Sequence, residues 1–258
     1  MSDQVILTRK ENRIGFITLN RPEAKNTFIP EFSTQLDRAL WDMENDDEIT
    51  VVVINAAGKH FSTGIALDQF REKSPADYRR FLYTIDAFYH TLARMTKTTI
   101  ASVQGYAVAN GAGLSYACDL TVAADSAVFG TTAINVGLIC LGPAAPLARL
   151  VGRKKMMEMI LTGDLYPAAE AERLGLVNKV VPADELEAET LELAKKLAKK
   201  SSLALRIGKE GLNKLLDGSY HPNLDSMDDL FAALCATHDA EEGVRAYLEK
   251  RPPDWRRE

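Results

Sequence analysis

Two stretches decide the fold, VVVINAAGKHFSTGIALDQF at residues 51–70 and ASVQGYAVANGAGLSYACDL at residues 101–120. Each opens on an apolar run suited to a buried strand, passes through a glycine turn and enters a helix start. The first N–H groups of a helix are unpaired and carry a partial positive charge. Two such ends converging on one point would therefore hold a developing oxyanion. The same residues also read as two ordinary strand-to-helix turns, and spacing alone leaves both readings open.

Upstream, Val5 to Thr8 and Ile14 to Leu19 read as a hairpin across the polar stretch between them, and Arg21-Pro22 ends it. From Pro30, the spacing Phe32, Leu36, Leu40, Met43 predicts a helix that leads into the strand Thr50 to Ile54. Next come a helix through Tyr78, Leu82, Ile85, Tyr89 and Leu92, a strand Thr99 to Val103, a short helix Gly111 to Cys118 and a strand Leu120 to Ala124. Helix followed by buried strand, repeated, predicts an α/β core with parallel winding. Beyond Gly142 the chain turns to helix formers, in Pro143 to Thr162 and four further segments, with one short strand at Val177 to Val181. Leu186 to Leu197 and Met227 to Leu234 carry apolar residues at helical spacing, fit either to cover the core or to meet another subunit. The expected division is a core over residues 1–195 and a C-terminal helical layer over 196–258, acting as one functional unit.

Composition excludes several classes. With 258 residues, 46% hydrophobic and 26% charged, the chain is neither disordered nor fibrous. A formal charge of -5 supplies no basic field for nucleic acid, so an anionic ligand must meet local cations. Cys118, Cys140 and Cys235 form no CxxC pair, and His60, His90, His221 and His238 form no HExxH pair, so no metal site is indicated. No signal peptide and no membrane span is expected, and the unpaired cysteines read as those of a reducing compartment such as the cytoplasm. Gly113-Leu114-Ser115-Tyr116-Ala117 lacks the second glycine of a nucleophile elbow, and Gly111-Ala112-Gly113 lacks the third glycine of a dinucleotide loop.

The ordered motifs NRPEAKN (20–26), GKHFSTGI (58–65), GYAVANGAGLSYACD (105–119), FG (129–130), LTGDLYPAAEAERLGLVNKVVP (161–182) and EEGVRAYLEKR (241–251) carry a family likeness. From about Val5 to Trp255 the chain resembles the crotonase superfamily, the enoyl-CoA hydratase and isomerase fold. The resemblance implies a spiral of β-β-α units with a C-terminal helical layer, assembled as a homotrimer or a dimer of trimers. It implies an acyl thioester of coenzyme A as substrate, with no separate cofactor. Its thioester oxygen would lie between the backbone N–H groups of Ile65 and Asn110. Asn110 stands where the family usually has glycine, and asparagine is the best substitute because it tolerates unusual φ and caps helices. The resemblance also places Ala24 and Lys25 along the CoA nucleotide, with Lys59 a further phosphate candidate, although two such lysines also read as a solvated surface pair. Ser62 and Gly64 fall in the first hole's turn, and Gly113, Ala133 and Cys140 along the acyl group.

The departures bear on the reaction. Where family hydratases carry two glutamates that handle water and its proton, this chain has Gly113 and Ala133, and neither transfers a proton. Ala66 replaces an aspartate common after the first donor, with Asp68 two residues on. Cys140 is the one titratable residue in the stretch after Gly137, and a lone cysteine there also reads as a small core hydrophobe. Asp68, Tyr83, Asp86 and Tyr116 are other groups within possible reach of the pocket, and the sequence does not choose among them. The expected chemistry is a thioester enolate carried through isomerisation or decarboxylation rather than standard hydration. The competing reading is a catalytically silent member that binds CoA esters or serves as a scaffold subunit.

Overall fold

In the computed structural model, which describes residues 4–200, 202–216, 228–229 and 231–254, the chain begins with a hairpin of β1 (Ile6–Glu11) and β2 (Ile14–Leu19). Asn12 and Arg13, at φ 49 and 68, make its two-residue turn, since positive φ at both centres matches the strand twist. Helix α1 (Pro30–Glu44) starts at a proline in its first turn and buries Phe32, Leu36, Leu40 and Met43. The strands β3 (Val51–Ala56), β4 (Thr98–Val103), β6 (Leu120–Ala124) and β9 (Lys179–Val181) then join β2 in parallel. The resulting sheet has the order β1-β2-β3-β4-β6-β9.

A second sheet, unforeseen in the sequence, joins β5 (Tyr106–Val108), β7 (Val128–Gly130) and β8 (Leu165–Pro167) in the order β5-β7-β8. Three-residue strands are too short to show an alternating period. They matter because β5 leads directly into the second glycine turn.

The helix expected through Tyr78 and Leu92 is two helices, α2 (Pro75–Ile85) and α3 (Ala87–Arg94), which break at Asp86. Between the strands, α4 (Asn110–Ala117) is almost wholly buried. The region 143–162 is likewise divided, into α5 (Leu141–Leu150) and α6 (Arg153–Thr162), by extended backbone at Val151. After α7 (Ala168–Arg173), α8 (Leu186–Ala198) lays Leu186, Thr190 and Ala194 against the large sheet, and Thr190 hydrogen-bonds Ser102 of β4 at 3.0 Å. The apolar face of α8 therefore covers its own core, and the expected division at 195/196 falls inside this helix. Helices α9 (Ser202–Leu216) and α10 (His238–Leu248) follow. Of the second apolar segment, Met227 lies outside the described residues. Residues 231–235 are helical, with Phe231 set edge-on to Phe70 at 6.0 Å. Among the described residues, no helix is long and apolar enough to cross a membrane.

Candidate active site

One cleft of about 750 Å³ runs from the turn at Arg21–Lys25, past Ile65 and Asn110, to the start of α5. Phe231, Tyr247 and Leu248 of the C-terminal segment help to close it. Two loops meet along its wall. Residues 60–66 are stitched to β5 by Ser62 N–H to Tyr106 O (3.1 Å) and Val108 N–H to Ser62 O (3.0 Å). Their other side is stitched to Phe28 by Phe28 N–H to Gly64 O (2.8 Å) and Ala66 N–H to Phe28 O (3.0 Å). Within this ladder, among the described residues, the N–H groups of Ile65 and Asn110 have no acceptor in the chain. Ile65 is half-buried and Asn110 opens a buried helix, so two unpaired donors in adjoining loops offer a place for an acceptor from outside.

Gly64 lets the loops approach. It sits at φ +89, and a Cβ there would lie 2.6 Å from the Ala109 Cβ and 3.5 Å from Asn110 N. Only glycine tolerates both the conformation and the contact. The second loop differs from expectation in two ways. Asn110 is the first residue of α4, and the unusual backbone belongs to Ala109, at φ 48 and ψ -124. That conformation is strained for a side-chain-bearing residue, and it is held by Ala109 N–H to Gly130 O (2.9 Å) and Gly113 N–H to Ala109 O (3.0 Å). On the first loop, Ile65 pairs with Phe28 in an isolated bridge and heads no helix, so one helix end and one extended segment form the pair.

The Asn110 side chain does not cap α4. Its Nδ2 donates to Asp86 Oδ1 at 2.7 Å. Asp86 is buried, lines the cleft and shares a hydrogen bond with the buried carboxyl of Asp228. Burial pushes the Asp86 carboxyl well above its ordinary range, the neighbouring Asp228 charge adds to this, and the Asn110 amide opposes it. Of the four side groups the sequence left unsorted, Asp68 is exposed at the cleft and accepts from Gln69, while Tyr83 lies outward beneath Arg79. Tyr116 is buried off the cleft with an unpartnered hydroxyl, which burial raises far above its usual range.

Among the other expected positions, Ala24, Lys25, Ala133 and Cys140 line the cleft, whereas Lys59, Ser62, Gly64 and Gly113 do not. Cys140 is buried, and that burial pushes its thiol up to about 12, so it is a neutral thiol near pH 7. Ser62 Oγ donates to Asn26 O (2.8 Å) and accepts from Gly64 N–H (3.3 Å), which fixes the first loop. A Cβ on Gly113 would lie 1.8 Å from Tyr89 Oη, so Tyr89 fills the space where the resemblance places a glutamate.

Asn26, inside the NRPEAKN motif, is a residue the sequence reading passed over. Fully buried, it donates to Ala57 O (3.0 Å) and His60 O (2.8 Å) and accepts from Arg21 N–H (2.7 Å). It thereby ties the cleft's mouth to the first loop. At that mouth, burial and the charges of Lys59 and Lys25 lower the His60 pKa. Its Nδ1 accepts from Tyr106 N–H at 3.2 Å, as the neutral ring allows. His90 lies on α3 and His238 opens α10, while His221 lies outside the described residues.

Comparison with known proteins agrees with this architecture. Residues 9–258 match the family model described as enoyl-CoA hydratase/isomerase. The chain is 36% identical over 258 residues to a probable enoyl-CoA hydratase of Mycobacterium tuberculosis, covering 99% of each. It is 34% identical to a probable mitochondrial enoyl-CoA hydratase of Dictyostelium discoideum, covering 96% of this chain and 89% of that protein. The crystal structure of an enoyl-CoA hydratase from Mycobacterium avium subsp. paratuberculosis superposes at TM-score 0.89 with 29% identity, over 97% of this chain and 98% of the other. The chain therefore belongs to the enoyl-CoA hydratase/isomerase family, with the crotonase fold.

Proposed function

We propose that, as an acyl-CoA enzyme of this family, the protein stabilises a thioester enolate between the N–H groups of Ile65 and Asn110. The reaction is of isomerase or decarboxylase type rather than standard hydration. The observation that carries this reading is the pair of acceptor-less amides on the wall of the cleft. Donors aimed at developing charge in a water-poor site are the largest single source of catalysis in many enzymes. The preference within the family rests on Gly113 and Ala133, which can neither take a proton from water nor give one to C2. Coenzyme A enters as part of the substrate, and no separate cofactor is required. A mass-spectrometric screen of CoA esters, read for turnover and binding together, tests the reading. Binding without turnover across chain lengths and aromatic esters would instead support the silent, scaffold-type member.

The nucleotide end of the ester is assigned to the mouth, where Ala24 and Lys25 line the cleft and Lys59 stands beside it. Lys25→Glu is expected to weaken CoA-ester binding severalfold, and Lys59→Glu less. Both losses should shrink in high salt, because exposed charges are screened within about 10 Å at 0.1 M. Calorimetric titration at two salt concentrations checks this, and unchanged affinity in Lys25→Glu would remove the lysine from the site.

A homotrimer or dimer of trimers is the proposed assembly. Ile207 and Leu212 on α9, and Tyr247 and Leu248 at the end of α10, are large apolar side chains exposed on the isolated chain. Light scattering across a concentration series should give a mass of three or six chains, and a strict monomer would overturn the assignment. Cys118, Cys140 and Cys235 are buried free thiols, consistent with a reducing compartment such as the cytoplasm.

A further inference from the structure

Two buried carboxyls that hydrogen-bond to one another need a proton between them, because two ionised carboxylates have no donor to offer. Asp86 and Asp228 are such a pair, each at most 3% exposed. Asp86 reaches the pair from the break between α2 and α3, and Asp228 from the C-terminal segment. Arg79 of α2 forms an exposed ion pair with the neighbouring Asp229, so the same two segments also meet at the surface. Asp86 belongs to the cleft wall and is joined by one side chain, that of Asn110, to the residue whose N–H is a proposed hole donor.

On one side the start of α5 packs closely against Asp86. A Cβ on Gly142 would lie 2.6 Å from Asp86 Oδ2 and 3.4 Å from Tyr89 Cε2, so glycine at the start of α5 makes room for the carboxyl. The groups facing Asp86 are Asp228 from the C-terminal segment, Asn110 from α4, Tyr89 from α3, and Cys140, which stays a thiol.

From this geometry we propose that Asp86, sharing one proton with Asp228, is the catalytic residue that carries a proton to and from the substrate's enolate carbon. The inference rests on the enolate reading above and supplies the proton carrier that Gly113 and Ala133 lack. In the forward step the C2–H bond of the acyl thioester breaks and an O–H bond forms on Asp86. The electron pair moves into the enolate, whose oxygen is held by the Ile65 and Asn110 amides. Once the Asp86 proton has been replaced from solvent water, its return to C2 is isotope exchange, and return of a proton to C4 of a 3-enoyl chain is double-bond isomerisation. Water is the one further participant. Asp228 keeps Asp86 a stronger base than an ordinary carboxylate, since like charges in one buried site cannot both ionise freely.

Butyryl-CoA in deuterium oxide, with deuterium at C2 followed by mass spectrometry, isolates this step from any complete reaction. The parent should incorporate deuterium. Asp86→Asn should be at least about 100-fold slower, as for loss of a general base, with butyryl-CoA affinity unchanged. Exchange needs Asp86 unprotonated, so the rate should rise with pH through its elevated pKa. Asp228→Asn removes the like charge and should move that rise toward lower pH. A solely structural role would leave the profile in place. Parental exchange in Asp86→Asn, an unmoved profile in Asp228→Asn, or a parent that binds butyryl-CoA without exchanging it would each overturn the inference. The last result would leave the CoA-binding assignment standing. No CoA-ester binding at all would overturn that assignment and the inference together. Should Asp86→Asn not fold by circular dichroism, the Asp228→Asn profile still decides.

Discussion

Supplied with crotonyl-CoA in water, the purified protein is expected to form the 3-hydroxyacyl product about 100-fold to 10,000-fold more slowly than an enzyme with glutamates at both positions occupied here by Gly113 and Ala133. Hydration needs one group to activate water and one to protonate C2; Asp86 is proposed for the second, and loss of a positioned base for the first costs about 100-fold to 10,000-fold. Restoring a glutamate at position 113 should not repair the rate. In Gly113→Glu even the first side-chain carbon would fall 1.8 Å from Tyr89 Oη, and Tyr89 is fully buried with little room to retreat. The expected outcome for that variant is a loss of stability without a gain in hydration, measured by thermal unfolding beside absorbance of the enoyl thioester. Hydration by the parent at the pace of a two-glutamate enzyme would sink the preference for isomerase or decarboxylase chemistry.

The second large effect concerns the backbone. Ile65→Pro deletes one proposed donor and is expected to slow turnover of whichever ester the screen identifies by about 100-fold to 1,000-fold, or roughly 2.7 to 4 kcal/mol in the barrier. Ile65→Ala keeps the N–H and should cost far less. The proline removes no internal hydrogen bond, since the Ile65 amide has no acceptor in the chain. Its steric demand falls on Gly64, the residue type with the widest conformational freedom. Circular dichroism establishes that the variant is folded. A folded Ile65→Pro protein with parental turnover would place the oxyanion elsewhere.

The large sheet was legible because its strands are continuous β-branched runs, and the turn at Asn12–Arg13 sat where the polar stretch indicated. The break at Asp86 was not legible, because apolar residues keep helical spacing on both sides of it and periodicity registers the face rather than the joint. Ile65 and Asn110 became candidates through motif resemblance, and the structure puts them in adjoining loops. Their N–H groups are backbone atoms, which no side-chain pattern announces. Asp86 was named among four undecided groups. What singles it out is Asp228, more than a hundred positions away in sequence, and a pairing of that range leaves no local trace. Tyr89 in the Gly113 space is hidden for the same reason, since a missing side chain does not say what fills the gap.

The strained peptide at Ala109 has one further consequence. Its two neighbouring hydrogen bonds, to Gly130 and from Gly113, lie entirely within the chain, so the Asn110 donor is aimed before any ligand arrives. On the proposed chemistry, the reorganisation that water dipoles would undergo around a forming enolate is thus completed when the chain folds. Binding then resembles a key meeting a rigid lock. An enolate mimic and a ground-state ester should find the same backbone, and differ in affinity through charge alone.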